Sequence, residues 1–317
     1  MANQFVNNTS FNKWSNTAAV DGWNYALYSL ESILNIAYVL AFNVLFYICI
    51  SQKNLHLNFR AMLLLTALGN QIRAIHRLIL VAARICCIAQ LDTPLVRDLH
   101  FMQLMGTYLS LFGFMFVVVE RAIASAFTSI YEQKCASYAV PIALYGVVAV
   151  LSSASACIVW FQLIEGFDMY FLVIEIVTVA VSLLALIAIM LYNKAVYKER
   201  HASMMPLTDR YQLDENIRAS KYLIPVAINN VLAEVLHIML MAYSIYFTDI
   251  PIGYDTTHLS HAYDLLAAYQ RIFFVLALII RSQKFQQLMK RTKPIAISVH
   301  SQVFAASHYF NELKAVW

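Results

Sequence analysis

Glu120-Arg121 closes a run beginning at Leu104 that otherwise carries no ionisable side chain. A carboxylate beside a guanidinium can hold it through charge-assisted hydrogen bonds or release it to another acceptor, which is the chemistry of a switch and involves no bond-making. More ionisable residues lie inside other apolar segments, at helical spacing. Asn70, Arg73 and Arg77 fall at i, i+3 and i+7, and Glu175, Thr178 and Ser182 repeat that pattern. Asn230, Glu234 and His237 follow i, i+4 and i+7; Asp264 and Arg271 are seven apart; Glu31 and Asn35 are one turn apart. Each set shares one face of a helix. In hydrocarbon such groups cost roughly 2.5–3.5 kcal/mol each on insertion scales, so they turn inward and mark function.

Depth limits how they can pair. Counting 1.5 Å per residue, Glu234 stands about 20 Å above Lys221 and Arg271 about 14 Å beyond Ala262, so on a core of about 30 Å the two reach similar depth. A Glu234–Arg271 ion pair is therefore expected between the sixth and seventh segments, either as a fixed staple or as a lock that a ligand opens. Arg73 and Arg77 need partners among Glu31, Asp264 and water, and the sequence does not rank these. A small-molecule pocket is expected among Arg77, Gln103, Thr107, Tyr108, Glu175, His237 and Asp264. Trp160, Tyr170, Met241 and Tyr269 are further candidates for its wall. Aromatic and Met side chains make an adaptable cavity, and a few polar groups orient what enters it.

Helices must position these residues. Seven apolar segments are long enough to cross a bilayer: about Tyr25–Ile50, Phe59–Ala83, Leu99–Val119, Ala139–Phe161, Tyr170–Tyr192, Tyr222–Phe247 and Ala262–Ile280. Only helices and closed barrels satisfy the backbone there. The second is the weakest, diluted by Asn70, Arg73, His76 and Arg77. Pro141 and Pro225 are read as lying near helix ends. Gly106, Ser110 and Gly113 give the third segment a small-residue face for close packing. The expected organisation is an extracellular stretch 1–24, a bundle 25–280 and a cytoplasmic tail 281–317.

Composition agrees. With 61% hydrophobic and 13% charged residues the chain is far more apolar than the 45–50% of soluble domains. It is an all-α membrane protein. Sixteen of the 22 Lys and Arg fall in segments that lie inside if the N-terminus is outside, against three in outer segments and three within spans. The positive-inside rule therefore sets the N-terminus outside and Glu120-Arg121 at the cytoplasmic face. Orientation also accounts for the net charge of +4, so no nucleic-acid partner is inferred.

Several classes are excluded on pattern. There is no HExxH, P-loop or nucleophile elbow, so no catalytic residue, cofactor or metal site is expected. The last segment has no Lys to carry retinal. Asn7 and Asn8 head overlapping glycosylation sequons. No Cys lies where a third-helix to second-outer-loop staple would need one, and Cys86 and Cys87 are left open between free thiols and an intermolecular bond. Cys135 is a candidate for palmitoylation.

Three strings give a family resemblance: Glu120-Arg121-Ala-Ile-Ala-Ser with Tyr131-Glu132 following; Arg210-Tyr211-Gln212-Leu213-Asp214-Glu215-Asn216-Ile217-Arg218; and Tyr309-Phe310-Asn311-Glu312-Leu313 closing on Trp317. The chain resembles the nematode serpentine receptors of class epsilon (Sre), within the Sra superfamily of chemoreceptors. The resemblance implies a seven-helix receptor with rhodopsin-like topology in the plasma membrane of chemosensory neurons, in the sensory cilium, coupled to a heterotrimeric G protein. Glu120-Arg121 is similar to the acidic-Arg switch that ends the third helix of rhodopsin-like receptors, with a cross-bundle partner expected near Asp214 or Glu215. Arg210, Tyr211 and Arg218 are the expected G-protein contacts, in a loop that also suits anionic lipid. After Arg281 the basic cluster with Phe285, Leu288 and Met289 reads as a short helix on the inner leaflet, ended by Pro294. The sequence leaves dimerisation open. The rival reading is a transporter or ligand-gated channel with a polar path lined by the buried Arg and Glu.

Overall fold

The structure is a computed structural model, and it describes residues 22–51, 56–86, 94–128, 131, 139–161, 163, 167–201, 207–247 and 257–282. Among these, seven helices follow one another: α1 (Gly22–Ser51), α2 (Leu57–Ile85), α3 (Pro94–Ala126), α4 (Ala139–Trp160), α5 (Phe167–His201), α6 (Leu207–Tyr246) and α7 (His258–Arg281). The chain divides into a unit of Met1–Ile279, which holds the bundle, and one of Ile280–Trp317, of which only the first three residues are described. The sequons at Asn7 and Asn8, Cys87, Cys135 and the expected tail helix lie outside the described residues. Cys49, Cys86 and Cys157 are free thiols.

Polarity is inverted relative to a water-soluble protein. Val150 and Leu184 are 68% and 66% exposed, whereas Glu31, Glu120 and Arg121 are 1% exposed. Burying carboxylates while presenting aliphatic side chains outward is favourable only where the surroundings are hydrocarbon. Six helices, α1 and α3 to α7, are long and apolar enough to cross a membrane. The remaining one, α2, carries the polar residues that dilute its sequence, and the buried Arg77 is among them.

Every helix but α4 is longer than its apolar segment, because flanking polar residues keep helical geometry. The largest extension is in α6, which runs 40 residues through Pro225 and includes the stretch Asp209 to Lys221, whose helix-forming residues predict that it prolongs the sixth helix. Pro225 is thus inside a helix, not near an end as the sequence reading has it. Its ring removes one N–H from the backbone ladder, a point of compliance between the two halves of α6.

The closest backbone packing is between α2 and α3, and glycine allows it. A Cβ on Gly69 would stand 2.6 Å from the Ser110 nitrogen, and one on Gly106 2.7 Å from the Gly69 carbonyl oxygen. Gly113 lies against Thr66 in the same seam. Such an approach brings Arg73 on α2 beside Gly106 and Thr107 on α3. Helix α7 is tied in through side chains instead: His261 to Asn24 at 3.0 Å, Tyr269 to Asn229 at 3.0 Å and Arg271 to Asn35 at 2.8 Å. The start of α7 therefore adjoins the start of α1. We call this the upper end of the bundle, and the end that holds Arg121 the lower.

Candidate functional site

At the lower end Arg121 is fully buried, and four elements converge on it. Its Nε and Nη2 donate to the two oxygens of Glu120, each at 2.5 Å, a bidentate pair between chain neighbours. Nη1 reaches across to α6, donating to Asn216 Oδ1 at 3.0 Å and standing 3.6 Å from Glu215 Oε1. The Phe59 ring of α2 lies beneath the guanidinium, 4.5 Å from its centroid. Ser125 Oγ donates to the Arg121 carbonyl and accepts from Asn193 Nδ2 of α5, both at 2.8 Å.

The two carboxylates have their own donors. The Tyr131 hydroxyl donates to Glu120 Oε1 and accepts from Asn58 Nδ2 at 3.2 Å. Burial, and then the Glu120 charge, push the Tyr131 phenol well above its ordinary range, so it keeps its proton and remains a donor. Glu215 accepts the backbone N–H of His56 at 2.6 Å, at the turn that precedes α2. A buried ion pair is stable only when its remaining lone pairs and protons are matched in this way. What results is a latch between α3 and α6 that closes over the guanidinium.

Of the two acids expected to meet Arg121, Glu215 is within reach and Asp214 is not. Asp214 turns to the surface and pairs with Arg218 at 2.9 Å, one turn along α6. Arg210 and Tyr211 lie in the first turns of α6, and their side chains fall outside the described residues.

The upper half contains a cavity of about 350 Å³. Arg77, Gln103, Thr107, Tyr108, Glu175 and Asp264, each expected at the pocket, all line it, as does Met241. His237 does not. It lies one level down, in a polar chamber of about 50 Å³ with Glu234, Asn230 and Gln270. Trp160 packs edge-on against Phe101, Tyr170 is 66% exposed, and Tyr269 lies at the α6–α7 contact, where its hydroxyl donates to Asn229. Spacing places a residue on a helix but leaves the rotation of that helix undetermined, and these three are misassigned for that reason. Sequence reasoning missed His100, Phe171 and Tyr263 on the upper wall, and it left Arg73 off the pocket although Arg73 was noted as intramembrane.

The expected Glu234–Arg271 pair is not formed. Arg271 donates from Nη2 to Asn35 Oδ1 on α1 at 2.8 Å, and Glu234 accepts from Gln270 Nε2 at 3.1 Å with His237 Nδ1 3.4 Å away. The depth estimate puts both groups in the same layer. But Gln270 and Arg271 are adjacent on α7, about 100° apart around the helix, so one faces α6 while the other faces α1. The strong pair forms elsewhere. Arg77 meets Glu31 through Nε at 2.5 Å and Nη2 at 3.1 Å, and Asp264 at 2.7 Å, joining α1, α2 and α7.

A buried Glu-Arg pair in the last turns of α3 is thus latched to α6, below a cavity lined by polar and aromatic groups. The model of the Sre G protein-coupled chemoreceptor family matches residues 92–314. The chain belongs to the Sre family. Sre proteins are receptors of the G-protein-coupled type, so this chain is a multi-pass membrane chemoreceptor whose partners in general are a G protein and a small molecule. The Sre match begins just before α3 and takes in Glu120, Arg121, Glu215 and Asn216 of the latch and five of the helices that line the upper cavity, α3 to α7. No curated protein matches the chain.

Proposed function

We propose that this Sre chain is a seven-span receptor with its upper end outside the cell, binding a small external molecule in the 350 Å³ cavity and acting on a heterotrimeric G protein at its lower end. In this reading α2 is the seventh span. Its charges are matched inside the bundle by Glu31, Asp264 and the cavity, so its outer surface remains apolar enough for lipid. Residues 1–24 are extracellular, 25–280 form the bundle and 281–317 the cytoplasmic tail. The receptor sits in the plasma membrane, in the sensory cilium of a chemosensory neuron.

The observation that carries the reading is the burial of Arg121 beneath Asn216 and Glu215 of α6. A guanidinium at the cytoplasmic end of α3 serves a partner protein only when exposed, so this is the resting state. Outward motion of the lower half of α6, with Pro225 as the compliant point, withdraws both α6 acceptors. It then frees Arg121 together with the surface that bears Arg210, Tyr211 and Arg218. Ligand in the upper cavity biases this motion because Asn230 and Glu234 lie on α6 above Pro225, one chamber below the ligand.

Guanine-nucleotide exchange on a reconstituted G protein tests the proposal without needing the ligand. Glu120→Gln, which loosens the latch, is expected to raise basal exchange, and Arg121→Ala added to it to abolish that rise at equal surface expression. Unchanged exchange in both variants rejects the G-protein reading.

A further inference from the structure

Two charged side chains at the upper cavity are left over when the pairings inside the bundle are assigned. Arg77 is held by Glu31 and Asp264, Glu234 by Gln270 and His237, and Arg271 by Asn35, although its buried Nε and Nη1 have no partner among the described residues. Arg73 and Glu175 have neither a hydrogen bond nor an ion pair with any described residue. Both line the upper cavity and both line the chamber beneath it, so they stand where the two spaces meet, together with Thr107 and Tyr263. Gln103 adds an unpartnered donor on the same upper wall, its buried Nε2.

Lone ions removed from water cost several kcal/mol each unless a partner is supplied. Burial acts on Glu175 most, then repulsion from Glu234, and Arg73 attracts it through space without a hydrogen bond or contact ion pair. A ligand in the cavity both residues line can supply the contacts that each lacks. A purely acidic ligand would satisfy Arg73 and add a third negative group beside those two carboxylates. A purely cationic one would satisfy Glu175 and leave Arg73 bare. An uncharged odorant would supply neither with a charged contact. Above them the wall is apolar and aromatic, with Tyr108 against Phe171 at 4.2 Å between ring centroids and Val159 beside them.

We propose that the ligand is a zwitterion of the amino-acid type, its carboxylate held by the Arg73 guanidinium, its ammonium by Glu175, and its apolar side group against Tyr108, Phe171 and Val159. This deepens the proposed function and rests on its assignment of the upper cavity as the ligand site. The planar fork of Arg73 suits a carboxylate. Gln103 lines the same cavity and offers its unpartnered Nε2 as a second donor to polar groups of the ligand.

The test uses the purified full-length receptor in nanodiscs and reads the rise in melting temperature with free L-phenylalanine, L-tyrosine, L-leucine and L-methionine. For phenylalanine, the deaminated 3-phenylpropanoate and the decarboxylated phenethylamine are compared in parallel. At least one amino acid is expected to stabilise saturably, with the one-charge analogues at least tenfold weaker. Arg73→Gln and Glu175→Gln should each weaken binding at least tenfold, while Arg73→Lys, which keeps the charge and loses the fork, should retain a reduced affinity even if the Gln variant folds poorly. The proposal is overturned if no amino acid stabilises, if a one-charge analogue binds as well, or if the Gln variants bind like the parent. Basal nucleotide exchange by Glu120→Gln, measured on the same preparation, separates the two claims. Raised exchange with a silent amino-acid panel removes this ligand class and keeps the receptor reading; binding that needs Arg73 and Glu175 without any exchange does the reverse.

Discussion

Arg121 on α3 and Asn216 on α6, 95 positions apart in the chain, are joined by a hydrogen bond of 3.0 Å from Nη1 to Oδ1. It is the shortest link between the α3 guanidinium and the helix proposed to move. Glu215 is 3.6 Å from the same nitrogen and is already engaged by the His56 backbone. Asn216 is therefore the cheapest point at which to loosen the latch without stripping Arg121 of its Glu120 partner.

Asn216→Ala is expected to raise basal nucleotide exchange about tenfold, because a hydrogen bond to a charged group contributes about 1.5 kcal/mol or more to the closed state. Exchange at matched receptor density is the measurement. A basal rate equal to the parent would show that α6 is not held through this residue.

Tyr131→Phe removes the donor to Glu120 and leaves Asn58 Nδ2 without its acceptor, while Arg121 stays paired. The loss of a hydrogen bond to a buried carboxylate is expected to lower stability by roughly 1.5–3 kcal/mol. It should raise basal exchange less than Asn216→Ala, because no contact to α6 is touched. Thermal unfolding and exchange on the same preparation check both parts.

Arg77 with Glu31 and Asp264 ties three helices together with side chains almost wholly withdrawn from solvent. Arg77 serves two carboxylates, so Arg77→Met takes the cation from both and is expected to destabilise the receptor by about 3–5 kcal/mol, read as a large fall in melting temperature in detergent. Glu31→Gln leaves Arg77 paired with Asp264 and should cost distinctly less.

The α2–α3 seam predicts a sharp contrast among glycines. Gly106→Ala must push a methyl group against the Gly69 carbonyl oxygen, where its Cβ would stand at 2.7 Å, and both atoms belong to rigid helices. A Cβ at Gly146 meets nothing within 4 Å. Gly106→Ala should therefore cost at least about 1–3 kcal/mol through overpacking, whereas Gly146→Ala should be neutral or gain up to about 1 kcal/mol from helix propensity. Melting temperatures of the two variants decide it.

Sidedness has its own test. An epitope before Gly22 should be labelled on intact cells and one after Trp317 only after permeabilisation, and Asn7→Gln with Asn8→Gln should remove any glycan-dependent mass. Labels on the same side of the membrane would mean an even number of crossings and would return α2 to the interior without a span.

The sequence by itself determined the class of molecule, the apolar helices, the place of Glu120-Arg121 toward one end of the third, and the Sre membership, because all of these depend on composition, on runs of about 20 residues and on contiguous strings. It also named six of the groups around the upper cavity, since helical spacing fixes which residues share a face. The pairings were decided only by the tertiary structure. Depth brought Glu234 and Arg271 to one layer, but the rotation of α7 sent Arg271 to Asn35 and gave Glu234 to Gln270. That rotation follows from how every neighbouring helix packs, down to a glycine seam that no local pattern sets. The same holds at the latch: the rotation of α6, about 100° per residue, brings Asn216 to Arg121 beside the expected Glu215 and turns Asp214 to the surface. Arg73 and Glu175 likewise stand out only once the tertiary structure shows that both line the upper cavity without a hydrogen bond or contact ion pair.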